Sequence, residues 1–298
     1  MPKILPPHIL GCITMLLIVI NLIFWIIPLF VMTFFKLSIP HSGWQRACSR
    51  ILEKIATGWT DGNNLIMWMV LKTEWDIQGI EELNPRGSYL LISNHVNSID
   101  IPVLQYVFNH RIPSLKFFIK QELVWIPFLG QAFWALDFPI MKRYSPAFLK
   151  RHPELHGKDL ETTRRACRKL KDSPFSVINF LEGTRFTADK HHQQKSSYSN
   201  LLNPRFGSAA VVMNNMEEFL TSILDVTIVY PGHESVSLWN MLCGRVSLVV
   251  IRVRERPVPQ GKLKPWVKNL WEEKDQTIGQ ILLDFGNEPP TASRKQVG

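Results

Sequence analysis

Residues 88–100, Ser88-Tyr89-Leu90-Leu91-Ile92-Ser93-Asn94-His95-Val96-Asn97-Ser98-Ile99-Asp100, decide the fold class. Tyr89 to Ile92 form a short apolar, β-prone run that reads as a buried strand. Polar residues follow, and a new apolar pattern then runs from Ile99 through Val103, Leu104 and Val107 at helical spacing. Ser98 reads as its N-cap, with Asp100 in the first turn. His95 therefore sits just past a strand end and Asp100 just inside a helix start. Such a corner can bring the two side chains to one side. A carboxylate bonded to one imidazole nitrogen fixes the tautomer and raises the basicity of the other, which can then take a proton from a hydroxyl. The same spacing also suits an aspartate cap beside a loop histidine, so the choice turns on a second motif.

That motif lies downstream. Ser176–Phe180 reads as a strand running into Leu181-Glu182-Gly183-Thr184-Arg185-Phe186-Thr187. Glycine lets the backbone approach a ligand closely, threonine and backbone N–H groups can donate to phosphate oxygens, and arginine can pair with phosphate through two parallel bonds. A generic strand-end turn carrying one arginine is the competing reading.

Composition narrows the setting. The chain has 298 residues, a formal charge of +9 and a pI near 9.4, which favours nucleic acid, anionic membrane or acidic partners. The 46% apolar content and ten tryptophans favour the membrane, and no aromatic-basic platform for nucleic acid appears. Cys12, Cys48, Cys167 and Cys243 lie far apart, without metal-ligand or disulfide spacing, and read as packed reduced thiols. His152 and His156 flank Glu154, but Pro153 disfavours a helical pair, so no metal site is expected.

Between Lys3 and Lys36 there is no Asp, Glu, Lys or Arg. The apolar stretch exceeds the roughly 20 residues needed to cross a bilayer. Residues 1–36 read as a membrane anchor that spans once or bends at Pro28 into a hairpin within one leaflet. Lys36, Arg46, Arg50 and Lys54 flank its C-terminal side, which places the rest of the chain on the cytoplasmic face. Residues 37–74 read as an amphipathic helical connector, with Trp44, Cys48, Ile51, Ile55 and Trp59 on one side and the basic residues opposite.

From residue 75 to 285 the texture is α/β. Strands are expected at Trp75–Ile80, Tyr89–Ile92, Leu115–Ile119, Phe138–Met141, Ser176–Phe180, Ile223–Tyr230 and Arg245–Val253. Helices are expected from Ile99 to about Asn109, over the basic segment 159–172, from Pro204 to Met216, and in an amphipathic C-terminal segment with Trp266, Leu270, Trp271, Ile278 and Leu282. Leu123–Leu136 reads as a buried or monolayer-touching loop and helix, and 286–298 as a disordered tail.

The two motifs together resemble those of the 1-acylglycerol-3-phosphate acyltransferases, within the glycerolipid acyltransferase superfamily. Four ordered blocks carry the resemblance: Asn94-His95 with Asp100; Lys120-Gln121-Glu122-Leu123 with Pro127, Gly130 and Arg143; Phe180 with Glu182-Gly183-Thr184-Arg185; and Val226-Thr227-Ile228-Val229-Tyr230-Pro231. Many members carry Pro where this chain has Leu181 and Ser where it has Phe186. The longer form, with Lys190-His191 following, is similar to the branch acting on lysophosphatidate and lysocardiolipin. The resemblance implies a bacterial inner-membrane enzyme with a mixed sheet flanked by helices, its catalytic domain cytoplasmic. It would move a fatty acyl group from acyl-CoA or acyl carrier protein to a lysophospholipid hydroxyl, foremost that of 1-acylglycerol-3-phosphate. Another acceptor, such as lysocardiolipin or lysophosphatidylglycerol, is the alternative. His95 would be the general base and Asp100 its orienting partner. Lys120, Glu182, Gly183, Thr184 and Arg185 would hold the acceptor phosphate, with Asn94 and Arg143 as secondary candidates and no cofactor or metal. A lipid hydrolase and a non-catalytic membrane scaffold are the rival classes; no Gly-x-Ser-x-Gly elbow is present, Gly207-Ser208-Ala209-Ala210 does not fit one, and an intact His95, Asp100 and Arg185 argue against the scaffold.

Overall fold

The computed structural model describes residues 5–126, 129–141, 173–206, 210, 213, 216–232 and 236–286. The elements in order are α1 (Pro7–Ser38), α2 (Ser42–Val70), β1 (Glu74–Gln78), β2 (Tyr89–Ser93), α3 (Asp100–Phe108), β3 (Leu115–Phe117), β4 (Ile119–Lys120), α4 (Leu129–Ala135), β5 (Ile140–Met141), β6 (Ser176–Phe180), α5 (Ala188–Gln194), β7 (Ser222–Val229), α6 (Leu238–Leu242), β8 (Leu248–Arg256) and α7 (Leu263–Gly286).

All five residues of β2 are buried, because helices cover both faces of the sheet. Its side chains alternate. Tyr89 and Leu91 join Ile99, Val103, Leu104 and Val107 on one face, whereas Leu90 and Ile92 join Val267, Leu270 and Trp271 of α7 on the other. The six-stranded sheet has the order β1-β8-β7-β2-β6-β3. β2 runs parallel to β6 and β7, and the antiparallel β7–β8 pair makes the sheet mixed. Ser93 faces Phe180 on one side and Val226 on the other. The carboxyl ends of β2 and β6 are therefore level and β7 reaches just beyond them, so the segments that follow converge. In parallel sheets this end of the strands is where ligands bind.

Several expected bounds move. The Leu115–Ile119 strand divides, and Ile119–Lys120 pairs with Ile140–Met141 in a separate small sheet. Arg245–Val253 becomes Leu248–Arg256, and the connector is one continuous helix to Val70. Ser98 does not cap α3: its backbone and hydroxyl both bond to Asn97 Oδ1, and Ile99 occupies the cap position. Positions 206, 210, 213 and 216 are helical. The basic segment 159–172, the His152–Glu154–His156 cluster, Cys167 and nearly all of the tail lie outside the described residues.

The N-terminal segment also departs from the sequence reading. α1 continues through Pro28, and the chain reverses at residues 39–41, so the second arm of the hairpin is α2. Asn21 donates to Trp59 O at 2.9 Å and to Asn63 Oδ1 at 3.0 Å. Two glycines one helical turn apart, Gly58 and Gly62, admit Trp25 and Asn21 of α1. At the other edge of the hairpin Lys36 is buried, bonded to Ala135 O and to Asp137 Oδ2, both at 2.9 Å. It is therefore not part of an exposed basic flank; Arg46, Arg50 and Lys54 are exposed. α1 buries a narrow stripe through Gly11, Thr14, Leu29, Thr33 and Lys36, and exposes Leu16, Phe24, Ile27 and Phe34. It is the one described helix long and apolar enough to cross a membrane, with a mean hydropathy of 2.8.

This packing sets opposite expectations for two glycines. A Cβ at Gly58 would stand 2.4 Å from the Trp25 ring, whereas one at Gly279, inside α7, meets nothing nearer than 3.7 Å. Gly58→Ala should destabilise by about 1–3 kcal/mol, the range for overpacking. Gly279→Ala should stabilise by about 0.5–1 kcal/mol, because alanine gives up less chain entropy in a helix. Thermal melts of detergent-solubilised protein decide both; equal shifts would contradict the helix contact.

Candidate active site

The convergent strand ends carry the site. His95 Nδ1 lies 2.8 Å from Asp100 Oδ2. The same oxygen accepts the backbone N–H of Val96 at 2.7 Å and of Asn97 at 3.0 Å. Asp100 Oδ1 accepts the Tyr230 hydroxyl at 2.7 Å. Asp100 is fully buried, and these four donors satisfy both of its oxygens. With the carboxylate accepting, Nδ1 carries the hydrogen and Nε2 the lone pair. Among the described residues Nε2 has no hydrogen-bond partner. The imidazole stacks on Phe180 at 4.1 Å between ring centroids and 19° between planes, which fixes its tilt.

Tyr230 stands at the end of β7, 130 residues from Asp100 in the chain. Burial, then the adjacent Asp100 charge, pushes its hydroxyl well above the ordinary value, so it remains a donor. Asn94 is buried; its amide donates to Ile228 O at 2.8 Å, and its oxygen accepts the Ile228 N–H at 2.9 Å. It pins the end of β2 to β7 and does not face a ligand.

The second motif is bound to the first through backbone. His95 N–H donates to Glu182 Oε1 at 2.8 Å, and Phe186 N–H donates to His95 O at 2.8 Å. The turn 182–186 and the candidate base are thus one rigid unit. Gly183 has φ +66°, which favours glycine, and a Cβ there would also displace the Arg205 side chain, 2.7 Å away. Thr184 Oγ1 accepts from Lys190 Nζ at 2.8 Å. Arg185 is exposed, and its guanidinium makes no hydrogen bond or ion pair among the described residues. The Lys120 side chain and all of Arg143 lie outside the described part.

Glu182 corrects the sequence reading. It is 1% exposed, and its other oxygen accepts the Leu202 N–H at 3.1 Å. Both oxygens are used inside the protein, and a carboxylate would repel a phosphate. Glu182 shapes the turn from behind. Burial pushes its carboxyl up to about 7; the N–H bonds from His95 and Leu202 oppose the rise, Asp100 adds to it and Lys274 subtracts. Behind it, Lys274 of α7 is fully buried, 2.5 Å from Asp225 Oδ1 and bonded to Val226 O at 2.6 Å. Desolvation lowers the Lys274 ammonium and Asp225 works against that. Tyr230 lies in the fourth block of the resemblance, which gave it no role, and no spacing signal in the sequence joins Lys274 or Asp225 to the motifs.

A histidine–aspartate pair and a cationic turn at the carboxyl edge of a mixed sheet define a candidate group-transfer site, and the comparisons agree. Residues 74–231, more than half of the chain, match the family model described as Acyltransferase, and the chain belongs to that family. It is 22% identical over 237 residues to 1-acyl-sn-glycerol-3-phosphate acyltransferase epsilon of Mus musculus, covering 71% of this chain and 61% of that protein. It is 29% identical over 175 residues to the delta form of Bos taurus, covering 54% and 43%. The chain thus spans about half the length of the curated relatives it matches. The crystal structure of the 1-acyl-sn-glycerophosphate (LPA) acyltransferase PlsC from Thermotoga maritima superposes with a TM-score of 0.57 at 15% identity, covering 92% of this chain and 97% of that one. The expected acyltransferase fold is therefore present.

The raised Glu182 carboxyl makes stability depend on pH. The native group binds its proton up to about 7 and the unfolded group only to the ordinary 4.5. Between those values the native state holds more protons, so stability falls as pH rises through the window, by up to about 3 kcal/mol from this residue. Glu182→Gln should flatten the dependence of the melting temperature on pH between 5 and 8. An unchanged slope would show that Glu182 titrates normally.

Proposed function

We propose that this protein transfers a fatty acyl group from a thioester, acyl-CoA or acyl carrier protein, to the free hydroxyl of 1-acylglycerol-3-phosphate, giving phosphatidate at a membrane surface. The observation that carries this reading is the pair of bonds that tie the His95 backbone to the turn 182–186, one to the Glu182 carboxylate and one from the Phe186 N–H. In the acceptor, the reacting hydroxyl and the phosphate sit on adjacent carbons. A site for it needs a base and a phosphate-binding turn held at a fixed short offset, and these two bonds supply that.

His95 Nε2 takes the hydroxyl proton as the oxygen attacks the thioester carbonyl. The tetrahedral intermediate collapses, the carbon–sulfur bond breaks, and the imidazolium returns the proton to the departing thiolate. Asp100 holds the tautomer and stabilises the imidazolium, the role an aspartate plays in a hydrolase triad. The thioester is already activated, so no acyl-enzyme is required. Arg185, Thr184 and the Gly183 backbone bind the phosphate, with Lys120 as a further cation. The exposed apolar face of α1 lies in the membrane, and the exposed Arg46, Arg50 and Lys54 set the domain on the cytoplasmic side. The anchor keeps the site beside an acceptor that does not readily leave the bilayer.

The kinetic signatures of the two motifs differ. His95→Ala should lower kcat by roughly 10²–10⁴-fold. Asp100→Asn should also lower kcat. Arg185→Ala should mainly raise acceptor KM, by roughly 10- to 150-fold for a lost charged bond, and Arg185→Lys should recover only part. Near-normal kcat in folded His95→Ala would end the assignment. A change in donor KM alone for Arg185→Ala would place the arginine on the thioester's carrier.

A further inference from the structure

We infer that Lys190 is a further cationic contact for the acceptor phosphate, beside Arg185 and Lys120, and strengthens the site's preference for phosphomonoester over phosphodiester lysolipids. The inference rests on the acyl-transfer reading above. Lys190 lies in α5, outside the turn itself, yet its ammonium folds back onto it. Nζ donates to Thr184 Oγ1 at 2.8 Å and to the Arg185 carbonyl at 3.0 Å. The second bond places its charge on the backbone of the residue whose guanidinium is the expected phosphate ligand.

Lys190 forms no ion pair with a carboxylate among the described residues. The neighbouring groups are otherwise engaged: Glu182 is buried behind the turn, His191 Nε2 meets Tyr198 O at 2.6 Å, and Thr187 Oγ1 caps α5 by accepting from Lys190 N–H. Two of the three ammonium hydrogens bond to neutral oxygens, which leaves one donor and the whole positive charge without an anion. A half-buried ammonium that meets only neutral oxygens of the turn is stabilised when an anion binds there.

Charge counting then sets the preference. A phosphomonoester carries about −1.5 to −2 at pH 7, and a phosphodiester about −1, as each phosphate of DNA does. The more positive the turn, the more it favours the monoester, and Lys190 adds a full charge fixed on the Arg185 carbonyl. The bonds linking the turn to His95 hold this pair at a fixed offset from Nε2, so the preference acts on the acceptor positioned for reaction.

The experiment is steady-state kinetics of the full chain in mixed micelles. Two acceptors share the same reacting hydroxyl: 1-acylglycerol-3-phosphate and 1-acylglycerophosphoglycerol. Lys190→Gln should raise KM for the first by roughly ten-fold or more, raise KM for the second much less, and leave both kcat values near wild type. Lys190→Arg should retain the monoester preference. An equal rise for both acceptors would show that Lys190 only moors Thr184, and an unchanged monoester KM would show that it does not touch phosphate; either overturns the inference. Titration calorimetry of each acceptor without donor separates this test from the acyl-transfer reading. Lys190-dependent monoester binding in a protein that transfers no acyl group would end that reading and keep the assignment. Monoester binding indifferent to Lys190, or absent, would end the assignment.

Discussion

Asp100 is the constraint on which the site depends. A carboxylate removed from water is strongly unfavourable unless every lone pair finds a donor. Here one oxygen gathers His95, Val96 and Asn97, and the other takes Tyr230. Satisfying this one charge winds the loop after β2 around the start of α3, orients the imidazole and draws in the end of β7. The same loop carries the His95 backbone groups that hold the turn 182–186. Position and tautomer thus come from one interaction: the bonds that offset the burial of Asp100 also leave the lone pair on Nε2, as the proposed base requires.

The sheet explains why such a loop is possible. Three strands that end at nearly the same level deliver Asn94, Leu181 and Tyr230 to one edge. α7 closes the back of that edge. Its Trp271 indole donates to Leu202 O at 2.9 Å, and the Leu202 N–H in turn donates to Glu182. Lys274 threads a buried ammonium between the carbonyls of β2 and β7, with Asp225 as its counter-charge. α7 lies beyond the segment matched by the family model, yet it completes the support of the turn.

What the sequence made legible was local. Tyr89–Ile92 was readable as a strand because four adjacent apolar residues mark a strand buried on both faces, and Ser176–Phe180 because Val177, Ile178 and Phe180 make a short β-prone run. His95 and Asp100 were readable because strand end, polar loop and helix start lie within a dozen residues. Whether the apolar segment bends at Pro28 was not legible, because a proline reads as a break, whereas α1 tolerates the one lost backbone bond there; the reversal comes where the apolar run ends. Glu182 was misassigned because a motif shows which residues adjoin, not which side of the turn each faces. Tyr230, Lys274 and Lys190 act through contacts made by tertiary folding, or through a side chain curling back along its own helix, and neither leaves a periodic trace.

The central claim is direct transfer between thioester and hydroxyl at His95, and stoichiometry tests it most directly. Purified protein would be supplied with a long-chain acyl thioester and 1-acylglycerol-3-phosphate, and thiol, diacyl lipid and free fatty acid would be quantified together. The account expects one phosphatidate for each thiol released, no thiol release without acceptor, and loss of both products in His95→Ala. Thiol release matched by free fatty acid instead, and dependent on His95, would identify a hydrolase and contradict it.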